Sequence, residues 1–305
     1  AILAQEFFVL QLLREASCEH TLSDTMADLP EDGEMLAKRG TSAKRGGDDE
    51  VCGAAKKMRR ERRFDGMRIL VTGAANGIGR GIAEAFVAEG ASTIIVDLRE
   101  PEGPVESASF IQCDVASASD IERCCAAAGA VDILINNVGV QPEAPCHEHT
   151  LEDWNRCIAV NLTSYFLFAK HLLPHMLEKG KGAIVNIASV QGTQSQPGIP
   201  AYAASKGGVL SLTRQLGVEY ASKGIRVNSV SPGTIQTPLV TSILKKRNSS
   251  PELAGAAYPM QRIGQVEEVA NAVLFLASEE ASFITAENLT VCGGIMGLGG
   301  WAQTA

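Results

Sequence analysis

The sequence predicts an α/β protein built on one doubly wound parallel sheet of about seven strands, with helices on both faces. Three observations carry this reading. Short, continuously apolar runs of strand length recur from Arg68 onward. Amphipathic stretches of helical length separate the later runs. A glycine-rich turn, Thr72-Gly73-Ala74-Ala75-Asn76-Gly77-Ile78-Gly79, stands where the first strand meets the first helix. A strand buried on both faces needs apolar residues throughout, whereas a half-exposed one alternates.

Taken in order, Ile69-Leu70-Val71 is the first strand, and a helical stretch follows the glycines to about Glu89. Ser92 to Val96 is the second strand, ending at Asp97. Phe110 to Cys113, Val131 to Ile135, Ala183 to Ile187, Gly224 to Val230 and Asn288 to Val291 complete the count, with helices at about Leu151 to Glu178 and Ala201 to Ser222. One domain over residues 64–305 is the economical reading.

Residues 1–63 differ in texture and are expected to form an N-terminal extension, largely disordered or a leader. The apolar patch Phe7-Phe8-Val9-Leu10 lies among Glu6, Glu15 and Glu19, which fits neither a secretory signal nor a mitochondrial presequence. The run Lys56-Lys57-Met58-Arg59-Arg60-Glu61-Arg62-Arg63 reads as a solvated extension or as a polyanion-binding patch. Met26 and Met67 lie inside a chain that begins with Ala1, leaving open an over-extended gene model or an isoform-specific leader.

Composition narrows the function classes. A formal net charge of -8 argues against a nucleic-acid partner for the protein as a whole. No apolar run is long enough to span a bilayer, so no membrane role is expected. The 8 cysteines lack zinc-ligand spacing, and Cys146, His147 and His149 have no further partners at useful intervals, so no metal site is expected. The cysteines read as reduced core thiols of a cytoplasmic protein.

The glycine turn permits close approach of backbone to a pyrophosphate, with the N–H groups and dipole of the following helix favouring the anion. Gly73, Asn76, Gly77, Ile78 and Gly79 are the candidate contacts. The same turn could be only a compact strand–helix connection. Asp97, 18 residues after Gly79, stands where a carboxylate accepts both adenosine ribose hydroxyls and repels a 2′-phosphate. That favours NAD over NADP, although Arg99 lies two residues on and Asp97 could be a strand-end turn residue. Asp114 and Val115 follow the third strand, where an adenine would lie. Asn137, within Asn136-Asn137-Val138-Gly139, can bond exposed strand-end backbone.

Farther along, Tyr202 and Lys206 are four apart, on one face of the expected helix. A phenol of pKa about 10 is a poor base at neutral pH. Lowering it by about three units takes nearby positive charge, from Lys206 or an oxidised nicotinamide. Alone, the two would be a surface helix pair. Ser189, thirteen residues earlier, and the upstream glycine turn make them one candidate site.

Assembled, these residues resemble a classical short-chain dehydrogenase/reductase over about residues 64–296, near the 3-oxoacyl carrier-protein reductase-like members. The glycine turn, Asn136-Asn137-Val138-Gly139, Asn161, Ser189, and Tyr202 with Lys206 occur in the family's order. The resemblance implies a single Rossmann-type NAD(P)-binding catalytic domain, a homotetramer or homodimer, and Pro232, Gly233 and Thr237 against the nicotinamide. Pro259-Met260-Gln261-Arg262-Ile263-Gly264 resembles the segment closing the substrate lobe. It further implies that Tyr202 is the acid/base, that Lys206 lowers its pKa and holds the nicotinamide ribose, and that Ser189 bonds the substrate oxygen. Asn161 would anchor a water leading protons from Lys206 to solvent. Gly139, beside Asn137, belongs to the cofactor set. Val138, Ala286 and Cys292 depart from the family's alanine, glycine and aspartate, and the short stretch from Asp114 to Asp132 implies a trimmed helix.

The expected activity is NAD(H)-dependent hydride transfer on a secondary alcohol or ketone as small-molecule substrate. An NADPH-dependent carbonyl or 3-oxoacyl reductase is the runner-up. A catalytically idle NAD(H)-binding sensor, or a nucleic-acid-associated protein using the basic run, are readings from other classes. Val140, Gln141, Val190, Gln191, Gln194 and residues 239–258 are expected to wall the pocket, the glutamines suiting a partly polar substrate.

Overall fold

The computed structural model describes residues 62–299. The expected extension, with its apolar patch and most of its basic run, lies outside the described residues. Among the described residues, seven strands, all paired parallel, form one sheet: β1 (Arg68–Thr72), β2 (Ser92–Asp97), β3 (Ala108–Gln112), β4 (Ile133–Asn136), β5 (Gly182–Ile187), β6 (Ile225–Pro232) and β7 (Asn288–Val291). Their order is β3-β2-β1-β4-β5-β6-β7. The chain therefore winds outward from β1 in both directions, and the crevice at the carboxyl ends of β1 and β4 is the topological switch point.

Among the same residues, eight α-helices accompany the strands: α1 (Gly77–Ala88), α2 (Ala118–Ala128), α3 (Leu151–Ile158), α4 (Ser164–Lys179), α5 (Pro200–Tyr220), α6 (Pro238–Lys246), α7 (Pro251–Gly255) and α8 (Val266–Ala277). Side chains alternate along each strand, so one apolar run feeds two cores. Ile69, Val71, Ile133, Ile135, Val185 and Ile187 pack with Ile82 and Phe86 of α1 and Val269 and Val273 of α8. Leu70, Leu134 and Ile184, between them in sequence, pack on the other face with Ile121 of α2 and Phe168 and Leu172 of α4. Phe64 already belongs to the first core, edge-on to Phe86 at 4.8 Å between ring centroids.

The differences from expectation have local causes. β4 starts at Ile133 because the Asp132 carboxylate is committed to the Arg68 N–H at 2.8 Å and to Lys179. The helix expected from Leu151 to Glu178 is interrupted by a π turn, Ala159–Thr163, between α3 and α4. α2 is short, 11 residues, started by Ser117, whose hydroxyl accepts the Asp120 N–H. α8 was not expected, because its apolar face merges into an apolar run. Gln265 and Glu268 close a capping box at its start.

Ala286 occupies the left-handed region, with φ 62, before β7. An L-alanine there carries a steric cost of about 1–2 kcal/mol. Its neighbour across the packing is Gly217, where an added Cβ would lie 2.6 Å from the Ala286 nitrogen. Ala286→Gly is expected to stabilise the protein by about 0.5–1 kcal/mol, the relieved strain exceeding glycine's extra unfolded-state entropy. A denaturation midpoint that stays put or falls would show that the left-handed turn carries no strain.

Candidate active site

The glycine turn is a packing requirement before it is anything else. Gly73 has φ +64, and a Cβ there would meet the Val138 Cα at 2.7 Å. A Cβ at Gly79 would lie 2.3 Å from the Gly73 carbonyl oxygen and 2.4 Å from Asn137 Nδ2. The first turn of α1 therefore lies directly on the end of β1. Asn137 ties the junction to β4: its Nδ2 donates to Thr72 O and Gly73 O, both at 2.9 Å, and its N–H donates to Thr72 Oγ1 at 3.0 Å. The N-cap residue Asn76 makes no side-chain cap, and no acidic residue lies in the first turn of α1. The N–H groups at Gly77, Ile78 and Gly79 and the helix dipole thus face the crevice without a capping side chain or an acid on their own helix, which suits a pyrophosphate.

Across from Gly77 lies Thr237, whose Cγ2 would be 3.5 Å from a Cβ at that glycine. The Thr237 hydroxyl caps α6 by accepting the Val240 N–H at 3.2 Å. Asp97 is half-buried beside the turn: Oδ2 accepts the Ala75 N–H at 3.0 Å, and Oδ1 the Arg99 N–H at 3.3 Å. Asp114 is exposed and spends Oδ1 on the Ala116 N–H at 3.0 Å, while Val115 turns into the core. Pro232 ends β6, and the Gly233 N–H donates to Val291 O at 2.9 Å. Tyr258 braces this segment, accepting the Thr234 N–H at 2.8 Å and donating to Thr234 Oγ1 at 2.7 Å.

The four residues expected to act in catalysis come together at the ends of β4 and β5. Ser189 follows β5 and caps a 3-10 turn, its Oγ accepting the Gln191 N–H at 3.1 Å. Its side chain also faces the Tyr202 phenol and acts to lower its pKa. Lys206, one helical turn after Tyr202 on α5, is buried, with Nζ 5.8 Å from the Tyr202 ring centroid. Its ammonium donates to Ile187 O at 2.7 Å and to the Tyr165 hydroxyl at 3.3 Å. A Cβ at Gly139 would lie 3.8 Å from Lys206 Nζ and 3.7 Å from Asn161 Oδ1. Asn161 sits in the π turn, and its side chain is not bonded to its own helix backbone. It pairs with Val140 across the loop, Oδ1 accepting the Val140 N–H at 2.8 Å and Nδ2 donating to Val140 O at 2.9 Å and Ser205 Oγ at 3.1 Å.

The electrostatics differ from the expectation that Lys206 draws Tyr202 down. Burial pushes the Tyr202 phenol above its ordinary value; Ser189 opposes this, and nearby Cys157 adds to it. Burial also lowers Lys206 to about 7. Both groups resist charging because both have left water. Tyr165, Cys157 and Ser205 join this assembly without having been expected in it, whereas Tyr258 ends the segment expected to wall the pocket. Tyr165 lies four residues after Asn161, Cys157 four before it and Ser205 three after Tyr202, so helical spacing was a signal for all three.

A switch-point crevice with a bare helix N-terminus, and a tyrosine and lysine meeting a serine at its edge, define a nicotinamide-dependent oxidoreductase. Comparison with known proteins agrees, and the chain belongs to the classical short-chain dehydrogenase/reductase family. The family model described as enoyl-(acyl carrier protein) reductase matches residues 73–296. The chain is 39% identical to the cis-4-hydroxycyclohexanecarboxylate dehydrogenase of Sinomonas cyclohexanicum, over 74% of this chain and 94% of that one. It is 36% identical to a 3-oxoacyl-[acyl-carrier-protein] reductase of Thermotoga maritima, over 77% and 99%. A structure from Agrobacterium tumefaciens solved with bound NADP superposes with a TM-score of 0.73, at 33% identity over 79% of this chain and 100% of that one. The protein is thus an oxidoreductase acting on alcohol or ketone groups with NAD(P). Among the described residues, no helix is long and apolar enough to cross a membrane.

The lysine makes stability pH-dependent. Its folded value of about 7 lies below the ordinary 10.5, so between these the unfolded chain binds the extra proton and stability rises with pH. The penalty for burying the ammonium is present in full below pH 7 and gone above 10.5. Lys206→Met is therefore expected to raise stability by about 1–2 kcal/mol at and below neutral pH, the gain fading toward alkaline pH. Denaturant midpoints at neutral and alkaline pH check this, and a gain that grows with pH contradicts it.

Proposed function

We propose that residues 64–305 form the catalytic domain of an NAD(H)-dependent dehydrogenase that interconverts a secondary alcohol and a ketone, with Tyr202 as general acid/base. The observation that carries this is the convergence of Tyr202, Ser189 and Lys206 beside the glycine turn. The bare N–H groups of Gly77, Ile78 and Gly79 would hold the pyrophosphate, and Asp97 and the Asp114-Val115 turn would border the adenosine. Gly139, Pro232, Gly233 and Thr237 would border the nicotinamide. When bound, the nicotinamide supplies the hydride acceptor or donor.

The protein's own groups handle the proton. Ser189, beside Tyr202, orients the substrate oxygen and stabilises charge developing on it. Tyr202 takes the hydroxyl proton in oxidation and returns it in reduction. An ammonium carries three donors, and Lys206 directs two of them to the Ile187 carbonyl and the Tyr165 hydroxyl. A third donor remains for a ribose hydroxyl. Asn161, engaged with Val140, sets the loop between Gly139 and the pocket.

Asp97 supports NAD over NADP, since a carboxylate beside Ala75 repels a 2′-phosphate. A structurally similar protein holds NADP, so the argument for NAD rests on Asp97 and not on the fold. Gln191, two residues after Ser189, has a buried amide oxygen without a partner among the described residues, which suits a substrate with an additional hydroxyl or amide donor. Gln141 is engaged with Glu143, which also binds Arg247 at the end of α6. Exposed Leu151, Trp154 and Phe166 on α3 and α4, and Val218, Phe283 and Leu289 near the β7 edge, support a homodimer or homotetramer. The free cysteines suit a cytoplasmic setting.

Tyr202→Phe is expected to lower turnover by at least about a thousandfold while NADH binding, read by fluorescence, survives. Normal turnover in that variant would remove the proposed base. Asp97→Ala should weaken NADH binding about tenfold or more and leave NADPH binding equal or tighter. Equal losses for both cofactors would end the assigned role of Asp97.

A further inference from the structure

We propose that Tyr165, a second buried phenol, is a positioning residue that holds the Lys206 ammonium at the ends of β4 and β5. This rests on the reading of Tyr202 and Lys206 as the proton-handling pair. Tyr165 is the second residue of α4, fully buried, immediately after the π turn. The extra residue in a π turn rotates the helix beyond it, which lets Asn161 and Tyr165 both face the strand ends. The Tyr165 hydroxyl lies 3.0 Å from Val138 O and 3.1 Å from Ile187 O, and accepts from Lys206 Nζ at 3.3 Å. Its single proton serves the two carbonyls, so toward the lysine it can only accept. Lys206 Nζ also stands 5.3 Å from the Tyr165 ring centroid, within cation–π range.

Among the described residues, the groups facing Lys206 are Tyr202 on its own helix, Cys157 from α3, Tyr165 from α4 and the Ile187 carbonyl from β5. None of these is a carboxylate. Every acceptor that favours the ammonium therefore counts, and with the lysine already lowered to about 7 its charge is balanced near neutrality. Removing the Tyr165 hydroxyl removes one acceptor from the charged form. The pair then sheds its first proton at lower pH, and sheds it from Lys206, giving neutral lysine beside neutral Tyr202 where catalysis needs ammonium beside phenolate.

The test is Tyr165→Phe, which keeps the ring in the core; a melting curve and NADH binding establish that it folds. In alcohol oxidation, the alkaline plateau of kcat is expected to fall about three- to tenfold, with the loss fading toward acid pH and the limb bending over about half to one unit earlier. A profile superimposable on the parent's, or one lowered by the same factor at every pH, would overturn the proposal, the latter being the mark of a merely structural part. A second measurement needs no turnover. The Cε resonance of Lys206 in ¹³C-lysine-labelled protein, assigned by its loss in Lys206→Met, should titrate about half to one unit lower in Tyr165→Phe. An unchanged midpoint refutes the positioning role even in an active enzyme. A lowered midpoint in a protein that turns over no alcohol or ketone upholds it while the proposed function fails.

Discussion

The site depends on one close approach. With no room for a methyl group at Gly79 or Gly73, the first turn of α1 can lie against the end of β1. That contact puts the Thr72 and Gly73 carbonyls where Asn137 reaches both with one amide nitrogen. Asn137 thereby fixes the end of β4, and through it Val138 to Val140. Val138 O receives the Tyr165 hydroxyl, and Val140 is clasped by Asn161. A path of hydrogen bonds thus runs across the strand ends from the glycine turn to the lysine, through Asn137, Val138 and Tyr165. A bulkier residue at either glycine would act on the whole path, because the helix, not one side chain, would have to move.

The same architecture explains why Tyr202 and Lys206 both resist charging. The walls that exclude water from Tyr202 and Lys206 oppose the phenolate and the ammonium alike. Burial of the pair costs stability, and the sheet offsets it with two apolar cores of interleaved strand residues. The chain's own groups leave Tyr202 above its ordinary value, although Ser189 acts to lower it. Positive charge brought to the crevice would favour the phenolate, and an oxidised nicotinamide is such a charge. Proton removal would then be coupled to occupancy of the cofactor site, which keeps a reactive base from existing without its redox partner.

Most of the frame was legible because the physics that builds it is local. Continuous apolar runs mark strands buried on both faces, and glycines mark the turn at which a helix must start against a strand. Tyr202 and Lys206 were legible because four residues is one helical turn. The π turn was not: its extra residue leaves no mark in Ala159–Thr163, and only packing against the Val140 loop selects it. Asp114 has a use that its strand-end position did not announce: its carboxylate closes its own turn. Tyr165 escaped notice because an aromatic in a helix reads as core, and its spacing from Asn161 does not by itself say that its hydroxyl will meet a lysine.

The departures from the family pattern separate what the site needs from what the frame tolerates. Val138 adds two methyl groups beneath the turn, but the demand at that position falls on its backbone: its Cα limits Gly73, and its carbonyl takes the Tyr165 proton. Ala286 accepts a left-handed backbone because its N–H is committed to Val227 O at 2.8 Å, holding the entry to β7 in register with β6. Cys292 follows β7 in a cleft of about 460 Å³ whose other walls include Tyr258, Met260 and Met296. That cleft contains neither Ser189, Tyr202 nor Lys206. Substitution has thus been absorbed where a side chain only fills space or where backbone bonds over-determine the turn. At Gly73, Gly79 and Asn137, by contrast, close packing and paired hydrogen bonds leave a substituted side chain no room or no partner.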